Sequence, residues 1–402
     1  MLDNKTEKQE NSRLARTEKR KKILILFGTR PEAIKLAPVI YELKNRGFRT
    51  LVVCSNQHRE LLDSFFKLFD VKTDYDLDVM RENQTPNEIC SRVLAKMDEL
   101  LTAEKPDLIL VQGDTTTTLA GALAGFNCRV PVGHVEAGLR SGNIYSPFPE
   151  EMNRRLVSQI ASLHFAATEL NRSNLLNENI PSEKIFVTGN TVVDTLRYIL
   201  KNFKPSEKIN EIIKQSEGKK RILLTTHRRE SFGEKMLGNL EVLRDFVEKK
   251  KDVCLIFPVH PNPNVRSATD KILAGRDRIF LLEPLDYCDF IALMKKSWLI
   301  VSDSGGVQEE SPSLGKPLLI LRENTERPEA IRSGVAKLVG GSPRILKMML
   351  EENYAVETWI RSVNEVSNPF GDGLAAKRIV NIIEQQLGLR HLRANSAQKA
   401  LL

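Results

Sequence analysis

The sequence predicts an α/β chain of two successive doubly wound domains, and three observations carry that prediction. Short β-branched runs alternate with longer amphipathic stretches almost from end to end. Runs such as KILILF (22–27) and LILV (108–111) are apolar almost throughout, which suits strands covered on both faces, as parallel sheets require. The rhythm stops in a charged, strand-free interval around Lys201–Lys220 and then restarts. A length of 402 residues fits this division, since a domain typically takes roughly 100–200 residues.

Taken in order, the first array has strands at Lys22–Gly28, Arg49–Ser55, Asp107–Asp114, Val130–Glu136, Leu163–Thr168 and Lys184–Gly189. Helical patterns at Pro31–Arg46, Glu60–Phe69, Pro86–Ala103 and Pro149–Ser162 lie between them. The second array has strands at Arg221–Thr226, Val253–Pro258, Arg278–Leu282, Trp298–Asp303 and Pro317–Leu321, again separated by helical patterns. The expected domains are therefore 22–190 and 191–373. A last amphipathic helix, Leu374–Leu387, carries Ile379, Val380, Ile383 and Leu387 on one face and is expected to pack back on the first domain.

Composition excludes several classes. The net charge of +8 sits mostly in the ends: residues 1–22 are net +4 and residues 390–402 net +3, leaving about +1 for the body. A nearly neutral body lacks the cationic footprint of a nucleic-acid binder, and residues 1–21 and 388–402 read as solvated, poorly ordered tails. No apolar run approaches the roughly 18 residues needed to cross a bilayer, and the Lys/Glu-rich start is no secretory signal. Cys54, Cys90, Cys128, Cys254 and Cys288 are scattered and odd in number, which suits reduced thiols in a cytoplasm.

In doubly wound sheets ligands sit at the carboxyl ends of strands, so the loops there hold the candidate site. Gly28-Thr29-Arg30-Pro31-Glu32-Ala33-Ile34-Lys35 brings two cations to the positive start of a helix, a setting for an anion such as a diphosphate. Arg30 and Lys35 taken alone serve equally well as solvated surface charges. Asp114, ahead of four threonines, is either a carboxylate facing the cleft or a helix N-cap. Glu136 lies between Gly133 and Gly138 at the end of an apolar strand, an awkward place for a structural carboxylate. Glu150 falls in the first turn of a helix, where the dipole favours an anion. Together these three carboxylates form a candidate acid/base set.

In the second domain His227, beside Arg228 and Arg229, suits a phosphate group, whereas His260 in Pro258-Val-His260-Pro reads as a turn residue. Ser304-Gly305-Gly306 ends a strand and opens a helix, so its backbone N–H groups can approach a ligand, with Glu310 placed to accept from a ribose diol. A sugar nucleotide is the natural occupant. Two motifs fail. Gly371-Asp-Gly373-Leu-Ala-Ala376 follows Asn-Pro-Phe instead of a strand, so no nicotinamide site is expected, and no P-loop exists. The His and Asp spacings match no metal motif, so neither cofactor nor metal is expected.

Gly28-Thr-Arg-Pro-Glu-Ala, Gln57-His-Arg-Glu60, Gln112-Gly-Asp-Thr, His134-Val-Glu-Ala-Gly-Leu-Arg140, Pro149-Glu-Glu, Thr188-Gly-Asn-Thr, His227-Arg-Arg-Glu, Asp303-Ser-Gly-Gly, Thr325-Glu-Arg-Pro-Glu329 and Asn368-Pro-Phe-Gly-Asp-Gly are jointly specific. With them the chain, over about residues 22–387, closely resembles the non-hydrolysing UDP-N-acetylglucosamine 2-epimerases of bacteria. The resemblance implies a GT-B architecture, two Rossmann-like domains with the active site in the cleft between them. It implies that Asp114, Glu136 and Glu150 are the acid/base carboxylates and that His227 lies near the leaving diphosphate. Arg30 and Lys35 would face the cleft, Ser304, Gly305, Gly306, Glu310 and Arg327 would bind UDP, and Phe290 would lie near the uracil.

Gln57-His58-Arg59 resembles a second, activating site for UDP-N-acetylglucosamine. Leu285 departs from the pattern, since many relatives carry Gln there, beside the nucleobase; a backbone contact survives that change and a side-chain contact does not. A homodimer and interconversion of UDP-N-acetylglucosamine with UDP-N-acetylmannosamine for cell-surface polysaccharide are implied too. A glycosyltransferase, a hydrolysing epimerase and a non-catalytic UDP-sugar-binding regulator are the rival readings.

Overall fold

The computed structural model describes residues 20–55, 69, 71–81, 83–228 and 232–388. Strand β1 (Lys22–Phe27) leads through helix Arg30–Asn45 to β2 (Arg49–Cys54) and then β3 (Tyr75–Asp76). Helix Pro86–Glu104, β4 (Leu108–Gln112), helix Thr116–Asn127, β5 (Val132–Ala137), helix Glu150–Ile160, β6 (Leu163–Ala166), helix Glu169–Asn177 and β7 (Ile185–Val187) follow. Helices Thr191–Asn202 and Glu207–Gln215 then fill the interval that reads as strand-free. The second array is β8 (Lys220–Thr225), β9 (Val253–Pro258), β10 (Ile279–Leu282), β11 (Leu299–Ser302), β12 (Leu318–Ile320) and β13 (Ala336–Leu338) with intervening helices.

Among the described residues each array forms one sheet, in the orders β3-β2-β1-β4-β5-β6-β7 and β10-β9-β8-β11-β12-β13. Every pairing between these strands is parallel. The period of two explains the apolar runs. Ile23, Ile25 and Phe27 point into one core and Leu24 and Leu26 into another on the opposite face, all fully buried. The short strands β3 and β13 escape the sequence reading because two or three residues give no periodicity to detect.

In both sheets the strand order reverses beside the first strand, between β1 and β4 and between β8 and β11. Loops leaving neighbouring strands in opposite directions open a crevice there. Two such crevices face each other across the cleft. No helix of the described residues is long and apolar enough to cross a membrane.

The connecting helix Thr191–Asn202 packs on helix Arg30–Asn45, where the Thr195 hydroxyl donates to the Ile34 carbonyl at 2.6 Å. It also touches helices Tyr287–Lys296 and Gly305–Glu310 of the second array, so the expected boundary at 190/191 opens a helix shared by both. Helix Ala375–Gln386 lies against Arg30–Asn45 and Thr191–Asn202 and buries Ile379, Val380 and Ile383, each worth about 1.5–3 kcal/mol on full burial. Asp194 accepts from the Ala375 and Ala376 N–H groups at 3.2 and 2.9 Å, satisfying orphan donors at its start. Gly371 sits at φ 135°, where a Cβ would lie 3.2 Å from the Gly189 Cα, and the Asn190 N–H donates to the Phe370 carbonyl at 2.7 Å. This glycine motif serves a close crossing of two chain segments.

Residues 1–19 and 389–402 of the expected tails 1–21 and 388–402, nearly all of helix Glu60–Phe69, and Gln57, His58 and Arg59 lie outside the described residues.

Candidate active site

The loop after β1 is tied to the loop after β4 by one carboxylate. Glu32 Oε2 accepts from the Gly28 and Thr29 N–H groups at 3.1 and 2.7 Å, closing a capping box with Thr29. Glu32 Oε1 accepts from the hydroxyls of Thr115 and Thr118 at 2.9 and 3.0 Å. A side chain at Gly28 would press within 2.6 Å of both Ser55 Oγ and Thr117 Oγ1, so only glycine lets the loops approach this closely. Arg30 and Lys35 are thereby held on the cleft side of their helix. The Arg30 guanidinium donates to the Leu285 carbonyl at 3.3 and 3.4 Å, a backbone contact across the cleft that no change of side chain at 285 removes.

Asp114 is not the cap of its helix. Thr115 is, accepting from the Thr118 N–H at 3.1 Å, which leaves the Asp114 carboxylate to Arg154 at 2.6 Å. Arg154 is in turn anchored by the fully buried Glu151 at 3.0 Å. Glu150 is the first residue of that same helix. Burial pushes its pKa up, and the negative charge of Asp114 adds to the rise.

Glu136 is aimed by its backbone. It adopts φ 64°, a left-handed conformation costing about 1–3 kcal/mol in a residue with a Cβ, and the β5–β6 register slips between Val135 and Ala137. The bulge turns its side chain out of the sheet toward Lys35 Nζ at 2.5 Å and the Gln112 amide at 2.5 Å. Burial raises its pKa to about 7; Lys35 and Arg327 oppose the rise and Glu309 adds to it. A buried carboxylate poised there can both take up and release a proton near neutrality.

On the facing domain the fully buried Asp303 organises the loop after β8. It accepts from the Thr226 hydroxyl at 2.8 Å and from the His227 and Arg228 N–H groups at 3.0 and 3.1 Å. Its carboxylate also lies 3.2 Å from His227 Nδ1. Burial alone would raise Asp303, but these bonds and the imidazole outweigh it and hold its pKa below the ordinary value. With Nδ1 engaged, His227 turns its other ring nitrogen away from Asp303. The ring also stacks on His260, centroids 5.4 Å apart, so His260 supports His227 besides accepting from the Asn262 N–H.

Ser304 precedes the short helix Gly305–Glu310. A Cβ on Gly305 would meet the Arg327 guanidinium at 2.6 Å, whereas Gly306 is open toward the cleft. The Tyr287 hydroxyl donates to Glu310 at 2.6 Å, and burial raises the Glu310 pKa to about 7. Arg327 is bound at 2.5 Å to Glu309 and 2.6 Å to Glu326, and it reaches Glu136 of the other domain at 3.5 Å.

Between the domains these loops enclose a cavity of about 550 Å³, within the range of small-molecule sites. Arg30, Lys35, Asp114, Glu136, Glu150, His227, Phe290, Ser304, Gly305, Gly306, Glu310 and Arg327 all line it. The sequence reading misses Gln112, Arg154, Tyr287 and Glu326 in the lining, and Asp303 and Glu309 packed behind it. Arg154 was within reach, because it sits four residues after Glu150 on one helix face. Glu326 lies inside the Thr325–Glu329 motif and Glu309 adjoins Glu310, but both show their partners only in three dimensions.

The UDP-N-acetylglucosamine 2-epimerase family model matches residues 41–384. The chain is 46% identical to UDP-N-acetylglucosamine 2-epimerase of Yersinia pestis, covering 90% of this chain and 98% of that one. It is 45% identical to the Bacillus subtilis protein of the same name, over 94% and 99%. An S. aureus MnaA–UDP co-structure superposes with a TM-score of 0.86 at 46% identity, over 92% and 97% of the two chains. The UDP-GlcNAc 2-epimerase of Neisseria meningitidis bound to UDP-GlcNAc superposes with a TM-score of 0.85 at 44% identity, over 90% and 100%.

Proposed function

This chain belongs to the UDP-N-acetylglucosamine 2-epimerase family, of GT-B fold, and from that premise we propose how its cleft epimerises C2 of the sugar. The observation that supports the reading best is the lining of one cavity by three carboxylates on one domain and by His227 and the Ser304-Gly-Gly turn on the other.

The C2 hydrogen of the substrate is not beside a carbonyl, so direct abstraction near neutral pH is out of reach. Departure of UDP changes this. The C1–O bond breaks with its electron pair going to the diphosphate, C1 gains oxocarbenium character, and the C2 proton passes to a carboxylate as the C1=C2 bond of 2-acetamidoglucal forms. A proton then returns to the opposite face of C2, and the diphosphate oxygen rebonds to C1. Glu136, Asp114 and Glu150 are the proton carriers. Arg30, His227 and the Ser304-Gly305-Gly306 backbone hold the departing UDP, Glu310 takes the ribose and Phe290 the uracil side. The product, UDP-N-acetylmannosamine, would feed cell-surface polysaccharide synthesis in the cytoplasm.

Proton NMR of UDP-N-acetylglucosamine with the protein in D2O tests the route. Deuterium enters C2 during epimerisation without added nicotinamide or metal; a product that keeps its C2 hydrogen overturns the elimination. Free N-acetylmannosamine would identify hydrolysis instead, and transfer to an acceptor would identify a glycosyltransferase.

The protein is proposed to work as a homodimer. Met152 and Leu156, four residues apart on helix Glu150–Ile160, are exposed beside helix Thr116–Asn127, whose Phe126 is 64% exposed. Light scattering at micromolar concentration should give about twice the 45.5 kDa chain mass, and Phe126→Glu should lower it. A wild-type mass near 45.5 kDa overturns the assembly.

A further inference from the structure

The geometry points to Glu309 as a positioning residue for Glu136: from the opposite domain it shares the cations that grip Glu136 and so keeps that carboxylate able to exchange a proton in the closed cleft. The inference rests on the acid/base reading of Glu136. Glu309 is 1% exposed and does not line the cavity, so it touches no substrate atom and acts through its neighbours.

Those neighbours form a closed square of alternating charge. Lys35 Nζ lies 2.5 Å from Glu136 and 2.9 Å from Glu309. Arg327 lies 2.5 Å from Glu309 and 3.5 Å from Glu136. Lys35 and Glu136 belong to the first domain, Glu309 and Arg327 to the second, so the square exists only while the domains face each other as they do here. Besides pairing with Arg327, Glu309 takes up part of the cation that neutralises Glu136.

The charged groups facing Glu136 are Lys35 from helix Arg30–Asn45, Glu309 from helix Gly305–Glu310 and Arg327. Gln112 on β4 is uncharged. Glu326 balances Arg327 from its far side and is itself held by Arg322 at 2.8 Å, with Arg228 at 3.9 Å. Without the Glu309 charge, two cations would face the single carboxylate of Glu136. The ionised form would gain, its pKa would fall, and it would become a poorer proton acceptor at neutral pH. Burial pulls Glu309 the other way, yet Arg327 and Lys35 keep it below the ordinary carboxylate value, so the charge that counts is present.

The test is the kcat–pH profile of epimerisation by the full chain with UDP-N-acetylglucosamine. In Glu309→Gln the limb near pH 7 moves down by about one unit or more, and kcat at the new optimum falls about tenfold. KM and UDP affinity stay within about threefold. Glu309→Asp, which keeps the charge but withdraws it from Lys35, moves the limb the same way by less, and it carries the test if the Gln variant does not fold. A limb at its wild-type position in whichever variant folds overturns the inference while leaving the epimerase reading intact. A wild type that does not epimerise the sugar overturns the reading itself, and with it the role of Glu309.

Discussion

Asp114→Asn, Glu136→Gln and Glu150→Gln are each expected to lose about 10²–10⁴-fold in epimerisation while keeping the fold, the usual worth of a general acid or base. Each change removes a titratable proton at nearly constant volume. The surroundings differ, and so should the outcomes. Glu136 is held by Lys35 and Gln112 in a buried pocket, and an amide there would leave Lys35 with Glu309 as its remaining carboxylate partner among the described residues. Asp114 is locked to Arg154, so Asn leaves a buried guanidinium with Glu151 as its remaining ion-pair partner among the described residues. Glu150, half-buried at a helix start, disturbs least when neutralised. A variant that blocks only the returning proton still expels UDP, and long incubations should then release 2-acetamidoglucal, detectable by mass spectrometry. If all three variants epimerise at close to the parent rate, the carboxylates are structural and the chemistry lies elsewhere.

His227→Ala is expected to reduce turnover by about 10²-fold, the scale of one lost electrostatic contact to a departing oxyanion. The side chain is 40% exposed at the cleft, so little packing is lost, and Asp303 keeps its bonds from Thr226 and the two N–H groups. Melting temperature and UDP affinity should change far less than kcat. That separation is the informative part, because a ring that only filled space would move stability and rate together. Near-normal turnover in a folded variant returns His227 to a packing role.

Much of this site is legible in the sequence, because a doubly wound sheet puts function at strand ends and strand ends can be read from apolar runs. Gly28 before Arg30, Asp114 after β4, Glu136 closing β5 and Ser304-Gly305-Gly306 after β11 all announce themselves by position. The ambiguity at Asp114 is different in kind. Both a cap and a cleft carboxylate fit its place in the sequence, and only the Thr115 hydroxyl bonded to the Thr118 N–H decides between them. His260 reads locally as a turn residue, and its second role appears only when another loop lays His227 across it.

The alternation of apolar and amphipathic segments, with its pause near residue 210, by itself determined two parallel α/β arrays and the loops that carry the charged residues. Local periodicity suffices there, because burial on both faces of a strand is a property of consecutive residues. The tertiary structure alone decided how those charges are used. Lys35 meets Glu136 across 101 residues of sequence and Glu309 across the interdomain cleft, and Asp303 meets His227 from a neighbouring strand end. A charge in a sequence carries no label for its partner. Burial and distance choose the partner, and both arise only when the two sheets bring their reversal points face to face.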